Sequence, residues 1–423
     1  MKLMGRLQDE QARKLALLWV VAILIRVVVM PFTMHFDAYQ IYSRASEAAY
    51  DGQWFGWTAQ FLVQGLHNVW LFLIRPLLPD SAGIWSDTAS IAGVGASPED
   101  YSRFLAYDHL YRLIFLMKLP YVVADLACAH LIGRLVEPTR RLAATAFWLL
   151  NPLVIYATAI YGRHDVLAIL MVLAGLVVVR QATDPRRLVA LALFGLATLT
   201  RFFPVVLIPF FLLAYRRNAR QLAFAVGFLL AMAALVEVAG IAVAGQSPTL
   251  GILDTHLHFQ NWLDAGVYLR FDDSIFFFPL IYTLGLLWLS ERGISPEEFP
   301  GVGAVVFLVL FALTFFHPHY SIWLVPFLAL TIANSRRMLV YHGIQIVCLL
   351  VYFAQWGSWT TWDLLQPLLG ERVTSLPDPY EAIAGQIEPR LFFGAFRSVL
   401  TAVSFWMAWL LLKPMIGRSR ERV

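Results

Sequence analysis

The chain has 423 residues, 59% of them hydrophobic and only 14% charged. Soluble domains carry roughly 25% charged residues, so a soluble enzyme is excluded and an all-α polytopic membrane protein is expected. The net charge of +4 comes from basic residues clustered in short connections, which reads as membrane orientation and not as nucleic-acid binding.

Lys2, Arg6, Arg13 and Lys14 precede a first apolar run at 15–33. The run ends in Pro31-Phe32-Thr33-Met34 with no small-residue cleavage site, so a retained signal anchor is expected. A bilayer crossing needs roughly 20 apolar residues. Runs that reach or approach that length follow at 111–136, 142–161, 165–182, 188–200, 202–215, 221–244, 272–290, 300–316, 319–334, 338–356 and 392–413. Those at 188–200 and 202–215 are short, as broken helices or helices in a thinned bilayer would be. Basic residues at 2–14, 134–141, 180–187, 216–220, 336–337 and 413–422 mark every second connection. Placing all of them in the cytoplasm requires about twelve transmembrane helices, with both termini cytoplasmic.

The opposite face then holds the long polar segments 34–110, 245–271 and 357–391, joined by the tight links 162–164 and 316–319. Within the first of these, Phe61–Leu78 is apolar but interrupted by Gln64, His67, Asn68 and Arg75. It reads as an interfacial or re-entrant helix pair. Segment 79–100 is rich in Gly, Ser and Ala and reads as a loop. Trp356, Trp359 and Trp362 form an interfacial belt. No polar segment is long enough for a second domain, so 1–423 is expected to be one membrane domain. Cys128 and Cys348 both lie in apolar runs, which argues against a disulfide framework.

Ionisable groups near a bilayer are functional hypotheses by default, and here they crowd one face. Eight of the ten histidines fall on the outer side: His35, His67, His109, His164, His256, His258, His317 and His319. Four groupings stand out. The first is His35 to Gln53, centred on Asp37, with Tyr39, Tyr42 and Arg44 following it. The second is the turn Tyr161-Gly162-Arg163-His164-Asp165. Arg201 stands between two short half-runs, and His317-Pro318-His319-Tyr320 forms another tight turn. Each has a plainer reading too. Asp37 can be a helix N-cap, Asp165 can cap the helix after its turn, and Arg201 can snorkel from a helix end. The His-x-His pairs face different directions on a helix and lack cysteine partners. Lys118 and Asp125 are seven residues apart, hence on one face, and read as helix packing.

The order of these groups resembles the C-type glycosyltransferases (GT-C), multi-span enzymes that take sugars from polyprenyl-phosphate carriers. The resemblance is carried by Asp37-Ala38-Tyr39-Gln40-Ile41-Tyr42, closed by Asp51-Gly52, then by Lys118-Leu119-Pro120 with Ala124-Asp125-Leu126. It continues in Asn151-Pro152-Leu153 through Asp165, in Leu199-Thr200-Arg201-Phe202-Phe203-Pro204, and in His317-Pro318-His319-Tyr320 with Trp323 and Pro326. Arg163 stands where the family commonly has Gln, and Arg201 where it commonly has Lys. The resemblance implies a mannosyltransferase-like enzyme of a prokaryotic plasma membrane, with an extracytoplasmic site. Its donor would be a polyprenyl-phosphate-linked sugar, and its acceptor a glycan, lipid or protein. Asp37 would be the catalytic base of an inverting displacement. Arg201, Arg163 and His164 would bind the donor phosphate, and His35, Tyr39, Tyr42, Asp165, His317, His319 and Tyr320 would orient substrate. No cofactor is required, although a divalent cation, Mg or Mn, on Asp37 is an alternative. From the residues alone, a secondary transporter or lipid flippase is the competing reading, and a non-catalytic membrane scaffold a third. The missing internal repeat and the one-sided polar groups count against a transporter.

Overall fold

The computed structural model describes residues 2–54, 60–86, 98–180, 184–215, 218–250, 261–270 and 273–419. Within them the chain is all-α apart from one antiparallel hairpin, Gly266–Tyr268 with Ser274–Phe276, in which Val267 faces Ile275. His256 and His258 lie outside the described residues, as does much of 79–100; the rest of that segment includes a short helical turn, Ala82–Ile84, and the start of helix Pro98–Leu105.

Nearly every apolar run of the sequence becomes a helix, but their lengths differ. Among the described residues four helices are long and apolar enough to cross a membrane: Leu110–Leu135, Ala219–Ala244, Arg336–Ala354 and Pro389–Ile416. A fifth is counted if Pro138–Leu149 and Pro152–Tyr161, bent by 47° at their break, form one span. Against the expected dozen, four or five helices among the described residues have full length, and other apolar helices are shorter. Asp165–Val179 and Phe299–Leu313 have 15 residues each, about 22 Å at 1.5 Å per residue, against a hydrocarbon core of about 30 Å. The first helix, Lys2–Val29, has 28 residues but carries Arg26 inside its apolar stretch.

Arg26 is fully buried and finds its partner 99 residues away. Its Nε donates to Asp125 Oδ2 at 2.5 Å and its Nη2 to Asp125 Oδ1 at 3.2 Å, while Nη1 reaches the carbonyls of Ala22 and Leu149. Asp125 also accepts from Trp148 Nε1 at 2.7 Å and Thr158 Oγ1 at 3.0 Å. A bidentate pair with every lone pair used is the form in which a buried charge survives. Lys118 goes elsewhere: its ammonium donates to the Thr33 carbonyl and to those of Ala159, at 2.9 Å, and Ile160, at 2.8 Å. It thereby ties the end of the first helical segment to the end of the Pro152–Tyr161 segment, a role in packing as the sequence suggested.

The connections gather at two ends. At one, Arg141 donates to Gly133 O, Arg180 to Arg134 O, and Arg140 to Leu330 O and Thr331 O. At the other, Met34 N donates to Leu364 O, His35 N to Tyr161 O, and Tyr156 Oη to Thr360 O. Helix Phe61–Ile74 packs against Phe36–Tyr50 with its polar side inward. Gln64, His67 and Asn68 are buried there, and Leu66, Val69 and Leu73 are exposed. Polar residues inside and leucines outside are what a lipid-facing helix requires.

Candidate active site

Asp37 owes its position to His35. The imidazole Nδ1 of His35 accepts the backbone N–H of Asp37 at 3.1 Å and caps helix Phe36–Tyr50. Asp37 is thus a first-turn residue and not the cap, which leaves its carboxylate directed at other partners. Tyr161 Oη donates to Asp37 Oδ2 at 3.3 Å and Arg163 Nη1 donates to the same oxygen at 3.1 Å. The His35 ring stacks on Tyr161 with centroids 3.9 Å apart, and Tyr161 in turn meets His319 at 4.6 Å.

The turn that delivers Tyr161 and Arg163 has a local cause. Residues Tyr156–Tyr161 form a π-helical turn that ends on Gly162 at φ +81°. Such turns recur at functional sites, and a left-handed residue followed by a helix start reverses the chain within two residues. A Cβ on Gly162 would also lie 2.9 Å from Lys118 Cε. Helix Asp165–Val179 starts immediately afterwards. Asp165, 1% exposed, accepts from Arg201 Nε at 3.0 Å and from Trp323 Nε1 at 2.9 Å, both on Oδ1. Arg201 Nη2 donates to Tyr320 Oη at 2.7 Å. The Nε of Arg163 and Oδ2 of Asp165 lie 3.9 Å apart, beyond hydrogen-bond length, and neither atom has a hydrogen-bond partner among the described residues.

The site therefore consists of two carboxylates and two guanidiniums in alternation, Asp37, Arg163, Asp165 and Arg201, walled by His35, Tyr161, His319 and Tyr320. Burial opposes ionisation of Asp37. The charges of His35, Arg163 and His317 and the hydrogen bond from Tyr161 outweigh it and hold its pKa at about 2. Burial takes His35 down to about 4, and His317 likewise to about 4. His164 and His319 are pushed well below the usual imidazole value by burial and by the arginines beside them. At neutral pH the histidines are uncharged, and the cations on Asp37 are arginines. Burial lowers the Arg44 pKa to about 10; seven residues after Asp37, it lies two turns along the same helix face.

Asp37, Arg163, Asp165, Arg201, His35, His319 and Tyr320 thus come together. His164 sits beside them, its Nε2 paired with Gln60 Oε1 at 3.2 Å, and the His317 ring meets Trp356 at a tilt, with centroids 4.4 Å apart. Tyr39 and Tyr42 point away from Asp37. Their hydroxyls donate to Ile84 O at 3.2 Å and Met117 O at 2.7 Å, and both side chains are fully buried. Two residues along a helix is a rotation of about 200°, so Tyr39 cannot share a face with Asp37. Tyr161, Trp323 and Gln60 were not expected as site residues. Tyr161 and Trp323 do lie within the motifs; Gln60 left no signal, since its contact depends on a left-handed residue at φ 56° before helix Phe61–Ile74. Among the described residues no three of His, Cys, Asp and Glu come together as a metal-binding group. The four alternating charges of Asp37, Arg163, Asp165 and Arg201 pair with one another.

Residues 66–217 match the family model of the alpha-(1->6)-mannopyranosyltransferase N-terminal domain. That stretch is similar to a GT-C-type mannosyltransferase family. It includes Arg163, His164, Asp165 and Arg201, and it supports a membrane glycosyltransferase. Asp37, His317, His319 and Tyr320 lie outside it. A search of curated proteins finds no match to the chain.

Proposed function

We propose that the chain transfers a single sugar, with mannose the first choice, from a polyprenyl-phosphate carrier to an acceptor hydroxyl at the extracytoplasmic face, with inversion. The observation that carries this reading is the contact at 3.1 Å between Arg163 and Asp37, whose side chain is 29% exposed. It sets an accessible carboxylate next to a guanidinium suited to a phosphate.

In the transfer, the acceptor oxygen attacks the anomeric carbon and the bond from that carbon to the phosphate oxygen breaks. The electron pair leaves with the polyprenyl phosphate, and the acceptor proton passes to Asp37. The phosphodiester donor brings one negative charge and leaves as a phosphate with two, while Asp37 becomes neutral, so the charge of the site is conserved. Arg163 binds Asp37 through Nη1 alone, so its remaining donors can take the leaving phosphate. Movement of its charge toward that phosphate would weaken its hold on Asp37 and raise the carboxylate's basicity when a base is needed. Asp165 is 1% exposed and held by Arg201 and Trp323, which leaves Asp37 without a second carboxylate as nucleophile and fits direct displacement and hence inversion. Arg201 acts through Asp165: the pair holds the first turn of helix Asp165–Val179, and with it Arg163. On the topology read from the basic connections, with about twelve crossings, the end carrying His35, Tyr161 and Leu364 faces outward, within reach of a lipid-borne head group.

The test is transfer by the purified chain in liposomes, with polyprenyl-phosphate mannose compared against a nucleotide-activated mannose. Transfer from the lipid donor alone, with the anomeric configuration inverted in the product, supports the reading. Use of the nucleotide sugar, or retention, overturns it.

A further inference from the structure

Directly before Asp37 the chain borders a second feature that the transfer step does not use. A cavity of about 330 Å³ is lined by His35, Phe36, Tyr101, Trp359, Asp363 and Gln366. Small-molecule sites run from roughly 300 to 1,000 Å³ and combine apolar faces with a few placed polar groups. Trp359, 47% exposed, meets His35 edge-on at 5.1 Å and Phe36 at 5.8 Å, and Phe36 meets Tyr101 at 5.0 Å. The polar groups are a carboxylate, Asp363, and an amide, Gln366. The walls come from three distant parts of the chain, and the hydrogen bond from Met34 N to Leu364 O, 2.9 Å, pins two of them together.

His35 is the wall shared with the reacting centre. Because its Nδ1 accepts the Asp37 amide, the neutral ring carries its proton on Nε2. That atom is buried and has no hydrogen-bond partner among the described residues. The cavity therefore pairs flat aromatic surface with a carboxylate and an amide, beside the base. Pyranose rings present that same pair of surfaces: C–H faces that stack on aromatic rings, and rims of hydroxyls that bond carboxylates and amides. A lipid tail would have no use for Asp363 or Gln366, and a phosphate would be repelled by Asp363.

We infer that this cavity is the acceptor subsite, and that the acceptor is a glycan whose penultimate sugar stacks on Trp359 while its terminal hydroxyl reaches Asp37. This rests on the transferase reading above. It makes the late segment around 357–366, outside the family-matched residues, the determinant of acceptor choice.

The experiment uses the full chain in lipid nanodiscs with short α-1,6-linked manno-oligosaccharides as acceptors and polyprenyl-phosphate mannose as donor. Trp359→Ala is expected to raise the acceptor KM about tenfold, the effect of losing one good contact, with donor KM and kcat within about twofold of wild type. Trp359→Phe should recover most of the loss, and Gln366→Ala should raise the acceptor KM without altering the fold. An unchanged acceptor KM in these variants, or a raised donor KM, overturns the subsite while leaving the transferase intact. So does a wild-type protein that glycosylates lipid or protein acceptors but no oligosaccharide. If the wild type transfers nothing, the transferase reading itself falls. Oligosaccharide binding followed by intrinsic fluorescence then decides the cavity separately, since loss of binding in Trp359→Ala supports it and no binding by wild type overturns it.

Discussion

Replacing Asp37 by Asn removes one charge and little volume. The Asn side-chain oxygen can still accept from Tyr161, and Arg163 keeps Asp165 Oδ2 at 3.9 Å as a remaining counter-charge. Breaking a fully buried ion pair costs roughly 3–5 kcal/mol, and an exposed pair is worth roughly 0–1 kcal/mol. With the two side chains 29% and 10% exposed, the loss of stability should be intermediate, about 1–2 kcal/mol. The loss of rate is expected to be larger. General base catalysis contributes roughly 10²–10⁴-fold, so transfer should fall about 10³-fold, equivalent to about 4 kcal/mol of barrier. Liposome transfer assays and thermal unfolding of the same preparations separate the two effects. Asp37→Glu, which keeps the charge but displaces it by a methylene, should lose about 10²-fold. An Asn variant turning over within about tenfold of wild type, below the range for base catalysis, would place the base elsewhere and refute the reasoning.

Two further outcomes follow from the same geometry. In Arg163→Gln the cation that helps hold the Asp37 pKa near 2 is gone while the burial that raises it remains. The acid limb of kcat/KM should therefore move to higher pH, with donor KM raised more than acceptor KM; a limb that stays put would separate Arg163 from the base. Arg201→Met leaves Asp165, 1% exposed, with Trp323 and only the looser Arg163, 3.9 Å away, and should cost about 3 kcal/mol in thermal unfolding, the low end for breaking a buried pair. Replacing Asp165 by Leu in that variant should return much of it, because an apolar pair often substitutes for a buried ionic one. Wild-type stability with a weakened donor would instead show Arg201 meeting the phosphate directly.

Much of this protein can be read from its residue order. Apolar runs and their basic punctuation determine that the chain is helical and membrane-embedded, because backbone groups in hydrocarbon must bond within their own segment. The crowding of histidines and charges at alternate connections marked the end of the molecule on which Asp37, Arg163 and His319 meet. What periodicity does not carry is the partnership of buried charges. Arg26 and Asp125, 99 residues apart, and Arg201 and Asp165, 36 apart, pair across helices; either partner alone looks like a snorkelling or capping residue. Nor could apolarity distinguish helices of full length from those of 15 residues packed among neighbours, since the short ones are no less apolar. The placement of Asp37 was decided by a neighbour. His35 takes the cap, and the freed carboxylate turns to Arg163, whose position depends on a π-helical turn and a left-handed glycine that tertiary packing against Lys118 holds in place.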